Sequence, residues 1–379
     1  MSSSENSGPK TNGNGAKSYN KSTLDVVLRV IYLIVFIYLF IVAVKLLGSS
    51  FKGLGSDYAK SLFEATSNPV VGLFIGILAT SIVQSSSSTT STIVALVAGG
   101  ALKIEWAIPM VMGANIGTTV TNTVVSFAHI NRRQEFGLAY AGAIVDDIFN
   151  LLAVIIFLPL QYYTNFLGRF AVYFSSMFSK AHGFEYFGSP LDYAVKPLVK
   201  IILHQIEGYE WIGIFIALIL LFISLKFIVD NMRYLVLNKI KAFFGTYLFS
   251  NTIKALLLGF VLTAIMQSSS ITLSLVVPLL GAGVLTITQM YPYALGANVG
   301  TTLTAIFAAL VAGKEAGLTV AFAHFFFNCS GMAVFLPLKK IPINIALKVA
   351  EISEKNRFIP IVIVIVMFFI IPFIFISTR

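Results

Sequence analysis

Long apolar segments separated by short polar stretches run through most of the chain. Several, such as 27–47, 136–160 and 358–377, reach the roughly 20 residues that a helix needs to cross about 30 Å of hydrocarbon. Others are shorter and flank two Ser-rich blocks, a pattern typical of re-entrant hairpins or broken helices. The apolar segments are 27–47, 69–83, 92–102, 104–128, 136–160, 211–229, 253–266, 273–285, 287–312, 316–338 and 358–377.

Composition supports a membrane protein. Of the 379 residues, 57% are hydrophobic and only 11% are charged, whereas soluble domains have about 25% charged residues. Long apolar runs favour a helical bundle over a barrel, so we predict an all-α polytopic membrane protein. The net charge of +10 is typical of basic cytoplasmic loops and does not by itself indicate nucleic-acid binding. The single cysteine, Cys329, excludes an intramolecular disulfide.

Two polar blocks each occur twice, 183 residues apart. Hydroxyl and amide groups at bilayer depth are costly unless they bind something. Their repetition in register predicts one composite site built by two structural repeats. The Gln-Ser block comprises Gln84, Ser85, Ser86, Ser87 and Ser88 in one copy and Gln267, Ser268, Ser269 and Ser270 in the other, and the Gly-Ala-Asn block covers 113–119 and 296–302.

The repeat extends beyond the blocks. Further identities follow the same offset, and after a five-residue gap Phe149-Asn150 matches Phe327-Asn328 at an offset of 178. Lysines before the first apolar run predict a cytoplasmic N-terminus in the cell (inner) membrane. The predicted organisation is a disordered cytoplasmic tail (1–23), a first transmembrane helix and connection (24–68), repeat 1 (69–160), an external connection, transmembrane helix and cytoplasmic stretch (161–252), repeat 2 (253–338), and a cytoplasmic loop with a last transmembrane helix (339–379).

The Gln-Ser blocks have the chemistry of a helix start. Serine runs compete with helical hydrogen bonding, and a helix N-terminus offers free N–H donors to an anion such as phosphate. The same oxygens also suit sodium, and a linker or a small-residue packing face is the structural alternative. No charged residue lies between 259 and 304. A bound anion therefore needs a co-bound cation, which links the two ligands as a symporter requires.

The Gly-Ala-Asn blocks supply further oxygen ligands. We predict ligation by Asn115, Thr118, Asn298 and Thr301, while the block's glycines are equally explained by close packing. An acidic pair in an apolar segment, 146–147, indicates a cation site. A helix cap or a pair with a neighbouring arginine at 132 or 133 is the alternative for one of the two acids.

The second repeat diverges at the acidic pair. His324 and Phe325 stand where repeat 1 has Asp146 and Asp147, so any charged cation site is predicted to be asymmetric. His129 and His324 are the histidines near the repeats. Each is more typical of a buried, satisfied imidazole than of a ligand, although His324 offers a route to pH sensitivity.

These motifs resemble the type II sodium-phosphate cotransporter family over about 70–160 and 253–338. The resemblance implies two inverted repeats, each with a re-entrant helical hairpin and broken helices, and inward movement of phosphate with sodium. It also implies that both Gln-Ser blocks bind phosphate. The implied phosphate set adds Thr301 and Thr304 to those blocks, and the sodium set is Asn115, Thr118, Thr123, Asp147, Asn150, Asn298 and Asn328.

Two comparisons with the family refine the expectation. Ala141-x-Ala143-x-x-x-Asp147 resembles the electrogenic members, which implies an extra sodium at Asp147. Where members place a Gln and an Asp near a sodium site, this chain has His129 and Arg132, a departure at that site. The vertebrate disulfide-bearing loop is absent, so the chain resembles a bacterial member.

The leading hypothesis is thus sodium-coupled phosphate symport by alternating access, without enzymatic activity or a cofactor other than the co-transported sodium. The expected partners are inorganic phosphate, sodium ions and the lipid bilayer, and the oligomeric state is left open. One alternative is symport of another oxyanion such as sulfate. The other is an intramembrane serine hydrolase, which needs a base beside a serine, and neither Ser block has a histidine within a helical turn.

Overall fold

The computed structural model describes residues 23–53, 68–182, 184–241, 249 and 251–378. Residues 1–22 of the predicted tail lie outside them. Every regular element in the described residues is helical, including a 3₁₀ turn at Phe127–His129 and a π turn at Val366–Ile370. The α-helices are α1 Thr23–Gly53, α2 Pro69–Val83, α3 Ser86–Ala98, α4 Ile104–Ile116, α5 Thr119–Ser126, α6 Arg133–Thr164, α7 Phe166–His182, α8 Phe184–Gln205, α9 Glu210–Lys241, α10 Thr252–Met266, α11 Ser269–Ser274, α12 Val277–Gly281, α13 Ile287–Ala312, α14 Glu315–Phe335, α15 Lys340–Lys355, α16 Ile359–Ile365 and α17 Ile371–Ser377.

Five helical segments in the described residues are long and apolar enough to cross a membrane. They lie in α1, α6, α13, α14 and the C-terminal stretch Ile359–Ser377. The last of these is only 17% buried, so most of its apolar surface faces outward, as suits contact with lipid. The prediction of an all-α polytopic membrane protein is confirmed.

Short helices flank both Gln-Ser blocks, as the sequence predicts. Helices α2 and α10 have 15 residues each, which span only about 22 Å at 1.5 Å per residue. Each ends at a glutamine in the left-handed conformation, Gln84 (φ 59°) and Gln267 (φ 53°). A serine N-cap follows each glutamine and starts the next helix, α3 or α11. The two polar blocks therefore form the same helix-turn-helix junction.

Glycine pairs let two helices of each repeat touch along their backbones. A Cβ at Gly76 of α2 would overlap the Met110 carbonyl of α4, and one at Gly259 of α10 would overlap the Tyr293 carbonyl of α13. These glycines are 183 residues apart. Close backbone contact through small residues is a common way for membrane helices to associate. A Cβ at Gly113 or Gly296 of the Gly-Ala-Asn blocks would likewise overlap the carbonyl of Leu73 or Leu256, so the packing explanation holds for these two block glycines.

The two repeats differ in where their helices break. The segment predicted at 104–128 divides after α4 and continues as α5, whereas its counterpart α13 is one helix of 26 residues. Conversely, α3 is continuous over 13 residues, while its counterpart divides into α11 and α12. The broken stretch of one repeat thus corresponds to a continuous helix in the other.

Helices lie within two stretches that the sequence predicts as connections. The stretch 161–210 contains the amphipathic helices α7 and α8, which pack on α14 and α1, respectively. The expected loop after 339 contains α15, which packs on α6. These helices are apolar on one face only, so the stretches form packed helices although they are not hydrophobic throughout.

Candidate functional site

The first turn of α3 is built entirely from hydroxyl residues. Ser85 caps it by accepting a hydrogen bond from the Ser88 main-chain N–H at 3.2 Å and one from the Ser88 hydroxyl at 2.9 Å. Ser86 and Ser87 follow and are buried. The arrangement directs hydroxyls and helix-start N–H groups into one region, where the helix dipole also favours negative charge.

The second block has the same local geometry. Ser268 caps α11 and accepts from the Ile271 N–H at 3.4 Å, and Ser269 and Ser270 are buried. Thr272 donates to the Ser268 carbonyl at 2.8 Å, as Thr89 does to the Ser85 carbonyl at 3.1 Å in the first copy.

A direct contact joins the two blocks. The Ser87 hydroxyl donates a hydrogen bond to the main-chain carbonyl of Gln267 at 2.9 Å. These residues are 180 positions apart, so the contact forms only when the two repeats pack together. The structure thus brings the two Gln-Ser blocks into direct contact.

Further polar contacts extend this region along α5. The Thr121 hydroxyl donates to Gln84 Oε1 at 3.0 Å. The Ser274 hydroxyl of α11 donates to Asn122 Oδ1 at 3.2 Å, which is a second contact between the repeats. After the break between α4 and α5, polar side chains thus contact Gln84 of the first block and the end of α11.

The asparagines of the two Gly-Ala-Asn blocks face the opposite repeat. Asn115 Oδ1 lies 3.0 Å from His324 Nε2, and Asn298 Nδ2 donates to Asp146 Oδ1 at 2.6 Å. Asn150 donates to the Asn115 carbonyl at 3.5 Å. All five side chains are buried. These contacts form a polar layer between α4, α6, α13 and α14.

Several residues that the sequence predicts as ligands are buried, and they either bond their own chain segment or have an oxygen without a partner. Thr118 and Thr301 donate to carbonyls of their own chain segment, Asn115 and Ala297. Within the described residues, certain buried oxygens have no hydrogen-bond partner, which is unusual for a folded protein. They include Thr123 Oγ1, Asn150 Oδ1, Thr304 Oγ1 and Asn328 Oδ1.

Asp147 lies in different surroundings from its neighbour. It lines a cavity of about 390 Å³ whose other lining residues are apolar apart from Tyr140. Leu73 of α2 and Phe368 of the π turn form part of its wall. None of the Gln-Ser residues lines it. The structure therefore brings Asp146, rather than Asp147, to the contact between the repeats.

Arg132, which the sequence offers as a partner for one of the two acids at 146–147, contacts a different acid. Arg132 Nη1 binds Glu135 Oε1 at 2.7 Å, and His129 Nδ1 lies 3.2 Å from Glu135 Oε2. His129, Arg132 and Glu135 thus form their own cluster at the start of α6. Arg132 pairs with Glu135 rather than with Asp146.

Three residues of these contacts are absent from the predicted ligand sets: Asp146, which the sequence marks only as part of the acidic pair, His324, and Asn122, which lies in α5 outside the polar layer. A signal is present for the first two, because they occupy equivalent positions of the two repeats at the 178-residue offset. Asn122 lies between two residues of interest, Thr121 and Thr123, but its position carries no repeat signal, since alanine stands at 305.

Comparison with protein families gives one match across both repeats. The Na⁺/Pi-cotransporter family model matches residues 39–180 and 220–347. The chain belongs to this family. The matched ranges contain both Gln-Ser blocks, both Gly-Ala-Asn blocks and the acidic pair, so the family likeness includes the polar layer described above.

Individual members of the Na⁺/Pi-cotransporter family are similar over most of the chain. Sodium-dependent phosphate transport protein 2B of Pongo abelii is 30% identical over 91% of this chain and 64% of its own length. Protein 2A of Rattus norvegicus is 31% identical over 91% and 67%, and protein 2B of Bos taurus is 32% identical over 91% and 64%. The chain thus spans about two thirds of the relatives' length. No solved structure matches it.

Proposed function

We propose that this protein moves inorganic phosphate into the cell together with sodium ions, by alternating access of a site between its two repeats. The observation that carries the proposal is the contact of Ser87 with the Gln267 carbonyl. It joins two helix starts, each rich in hydroxyls and N–H donors, which is the chemistry that binds phosphate. The names of the relatives, sodium-dependent phosphate transport proteins 2A and 2B, agree with this substrate pair.

Charge balance supports sodium coupling. The Gln-Ser blocks carry no charged side chain, so hydroxyls and dipoles alone face the anion. Buried oxygens without partners lie in other helices of the two repeats, at Thr123 of α5, Asn150 of α6, Thr304 of α13 and Asn328 of α14. Oxygen atoms of hydroxyls and amides are the ligands that hard cations take. Bound sodium would offset the charge of phosphate, and each ligand would then strengthen the binding of the other.

The proposed orientation follows from charge and symmetry. The two repeats lie inverted in a cell (inner) membrane, with the N-terminus in the cytoplasm, in agreement with the lysines that precede α1. Transport is electrogenic through an additional sodium at Asp147. This is transport without catalysis: His324 contacts Asn115 and His129 contacts Glu135, whereas a hydrolase needs a base at its serine.

Uptake into proteoliposomes tests the proposal. Purified protein is reconstituted, and entry of ³²P-phosphate is followed with sodium or potassium outside at fixed membrane potentials. We expect uptake that needs sodium and rises when the interior is negative. A tenfold excess of sulfate should compete weakly. Equal uptake in potassium would refute sodium coupling, and full competition by sulfate would replace phosphate with a broader class of oxyanions.

A further inference from the structure

An asparagine of each repeat contacts a titratable residue of the other. Asn115 contacts His324, and Asn298 contacts Asp146. The 183-residue offset matches the two asparagines, and the 178-residue offset matches Asp146 with His324. The two contacts are therefore equivalent under the internal repeat. They differ in chemistry, since one partner is a carboxylate and the other is an imidazole.

The two amides present opposite ends to their partners. Asn115 turns its carbonyl oxygen to His324 Nε2 at 3.0 Å, while its Nδ2 donates to the Val111 carbonyl at 3.3 Å. A carbonyl oxygen only accepts, so the imidazole donates from Nε2. Asn298 instead turns its NH₂ group to Asp146 Oδ1 at 2.6 Å. An N–H donor thus satisfies the amide oxygen in the first pair and the carboxylate oxygen in the second.

Asp146 is a buried acid that requires compensation. It is 2% exposed, and none of the ion pairs among the described residues includes it. An ionised carboxylate removed from water is unfavourable unless a cation pairs with it. The Asn298 amide supplies a hydrogen bond but no charge. A small cation would supply the charge at the same place.

We propose that Asp146 and Asn298 form a sodium site, and that the equivalent pair of Asn115 and His324 does not bind sodium. This inference rests on the proposed sodium-coupled transport. A half-turn of the Asn298 amide about Cβ–Cγ exchanges its NH₂ for its carbonyl oxygen at Asp146. Such a torsion is broad and roughly two-fold in asparagine. The carboxylate and the carbonyl oxygen then face one ion, a ligand pair that suits a hard cation.

The imidazole takes the place of the cation in the other pair. His324 Nε2 donates to Asn115 Oδ1, the oxygen that would otherwise face an ion. The Asn115 oxygen is thus satisfied by the imidazole N–H of His324, whereas the equivalent pair of Asn298 and Asp146 binds an ion from solution. The two asparagines are therefore not two equivalent sodium ligands, although their sequence blocks match.

The location of the pair links the ion to conformation. Asp146 belongs to α6 of repeat 1 and Asn298 to α13 of repeat 2. An ion held between them connects the repeats, and a movement that separates the repeats separates its ligands. A ligand that binds one arrangement better shifts the population toward it. Sodium at this site would thus favour the closed contact between α6 and α13.

The test counts ions in proteoliposomes of the full chain. Entry of ²²Na⁺ and ³²P-phosphate is measured together, which gives the number of sodium ions per phosphate and the sodium concentration for half-maximal uptake. We expect Asp146→Asn to carry one sodium fewer per phosphate and to need at least about tenfold more sodium, the size of effect seen when the surroundings of a metal ligand are changed. Asp146→His, which installs the residue of the equivalent position, should behave alike. His324→Gln serves as the matched control and should keep the wild-type ion count.

The outcomes separate this inference from the proposed function. Wild-type uptake without sodium would refute the proposed function itself. Sodium-dependent wild-type uptake with an unchanged ion count and sodium requirement in both Asp146 variants would overturn the inference alone. Loss of coupled proton entry in Asp146→Asn, followed with a pH dye inside the vesicles, would overturn it in favour of a proton carrier. If Asp146→Asn fails to run as one species in gel filtration, Asp146→His decides the question, because the fold already holds an imidazole at the equivalent position 324.

Discussion

Ser87 of the first Gln-Ser block donates a hydrogen bond of 2.9 Å to the main-chain carbonyl of Gln267 in the second. The acceptor belongs to a residue in the left-handed conformation, with φ of 53°. That conformation ends α10 and exposes the carbonyl to a side chain from the other repeat. A sequence match 183 residues apart thus becomes a physical contact at which two helix starts meet.

Removing this contact should weaken phosphate binding. Ser87→Ala deletes one hydroxyl donor and leaves the Gln267 carbonyl unsatisfied. A hydrogen bond of this kind contributes about 1 kcal/mol, or roughly fivefold in affinity. We expect the phosphate concentration for half-maximal uptake to rise by about that factor or more, measured in proteoliposomes under an inward sodium gradient.

Thr92→Val provides the matched control for Ser87→Ala. Thr92 lies on the same helix and donates to the Ser88 carbonyl, at 2.9 Å. Its substitution removes a hydroxyl of the same helix without breaking the contact between the repeats. Equal effects of the two variants would show that the contact with Gln267 has no special part in binding.

The left-handed backbone conformation of Gln267 should destabilise the protein, and glycine at this position should relieve the strain. A non-glycine residue in this conformation is disfavoured by about 1 kcal/mol. Gln267→Gly should therefore raise the melting temperature of the detergent-solubilised protein by about 1 °C. It should also lower phosphate uptake, because the amide side chain of the block is lost. Differential scanning fluorimetry and uptake measure the two effects.

Asn165→Gly separates backbone relief from the loss of a site residue. Asn165 is also left-handed, with φ of 48°, but it ends α6 away from the Gln-Ser blocks. Uptake should be unchanged in this variant. If Gln267→Gly retains full uptake as well, the glutamine side chain has no role in the proposed phosphate site.

The features of the site that can be predicted from the sequence are those that depend on residue type alone. Serine runs favour helix starts, so the residue types alone place both Gln-Ser blocks at helix N-termini. The direction in which neighbouring helical residues face is not accessible in this way. Asp146 and Asp147 are about 100° apart around α6, and only the packing of α13 on one side and of the cavity on the other decides which acid meets Asn298.

The helix break at one Gly-Ala-Asn block, and its absence at the other, cannot be predicted from the sequence. The stretches 113–119 and 296–302 differ only at Ile116 and Val299, yet α4 ends in the first and α13 continues through the second. Local preference is nearly equal in the two copies, so tertiary contacts decide. After the break, Thr121 contacts Gln84 of the first Gln-Ser block, and Asn122 contacts Ser274 of α11.

Neutralising Asp147 should reduce the effect of membrane potential on uptake. Each additional sodium ion that crosses the membrane contributes about 2.3 kcal/mol per 100 mV of membrane potential. This free energy corresponds to a roughly fiftyfold higher accumulation of phosphate. We expect Asp147→Asn to retain sodium-dependent uptake and to lose most of its response to valinomycin-imposed potentials. Asp25→Asn, an exposed acid at the start of α1, is the control. An undiminished response in Asp147→Asn would remove the additional sodium from this residue.

The glycine contact between α2 and α4 should be among the least tolerant positions of the fold. A Cβ at Gly76 would overlap the Met110 carbonyl, which belongs to a helix backbone and cannot rotate away. Gly76→Ala should therefore destabilise the protein by about 1–3 kcal/mol, as overpacking does elsewhere, and lower its melting temperature.

Gly72→Ala is the matched control, one turn earlier on the same helix, where an added Cβ meets its nearest atoms at 3.5 Å. That variant should be neutral or slightly stabilising, since alanine favours helix over glycine by about 1 kcal/mol. Differential scanning fluorimetry of both variants checks the contrast, and equal melting temperatures would mean that α2 and α4 are not held in backbone contact.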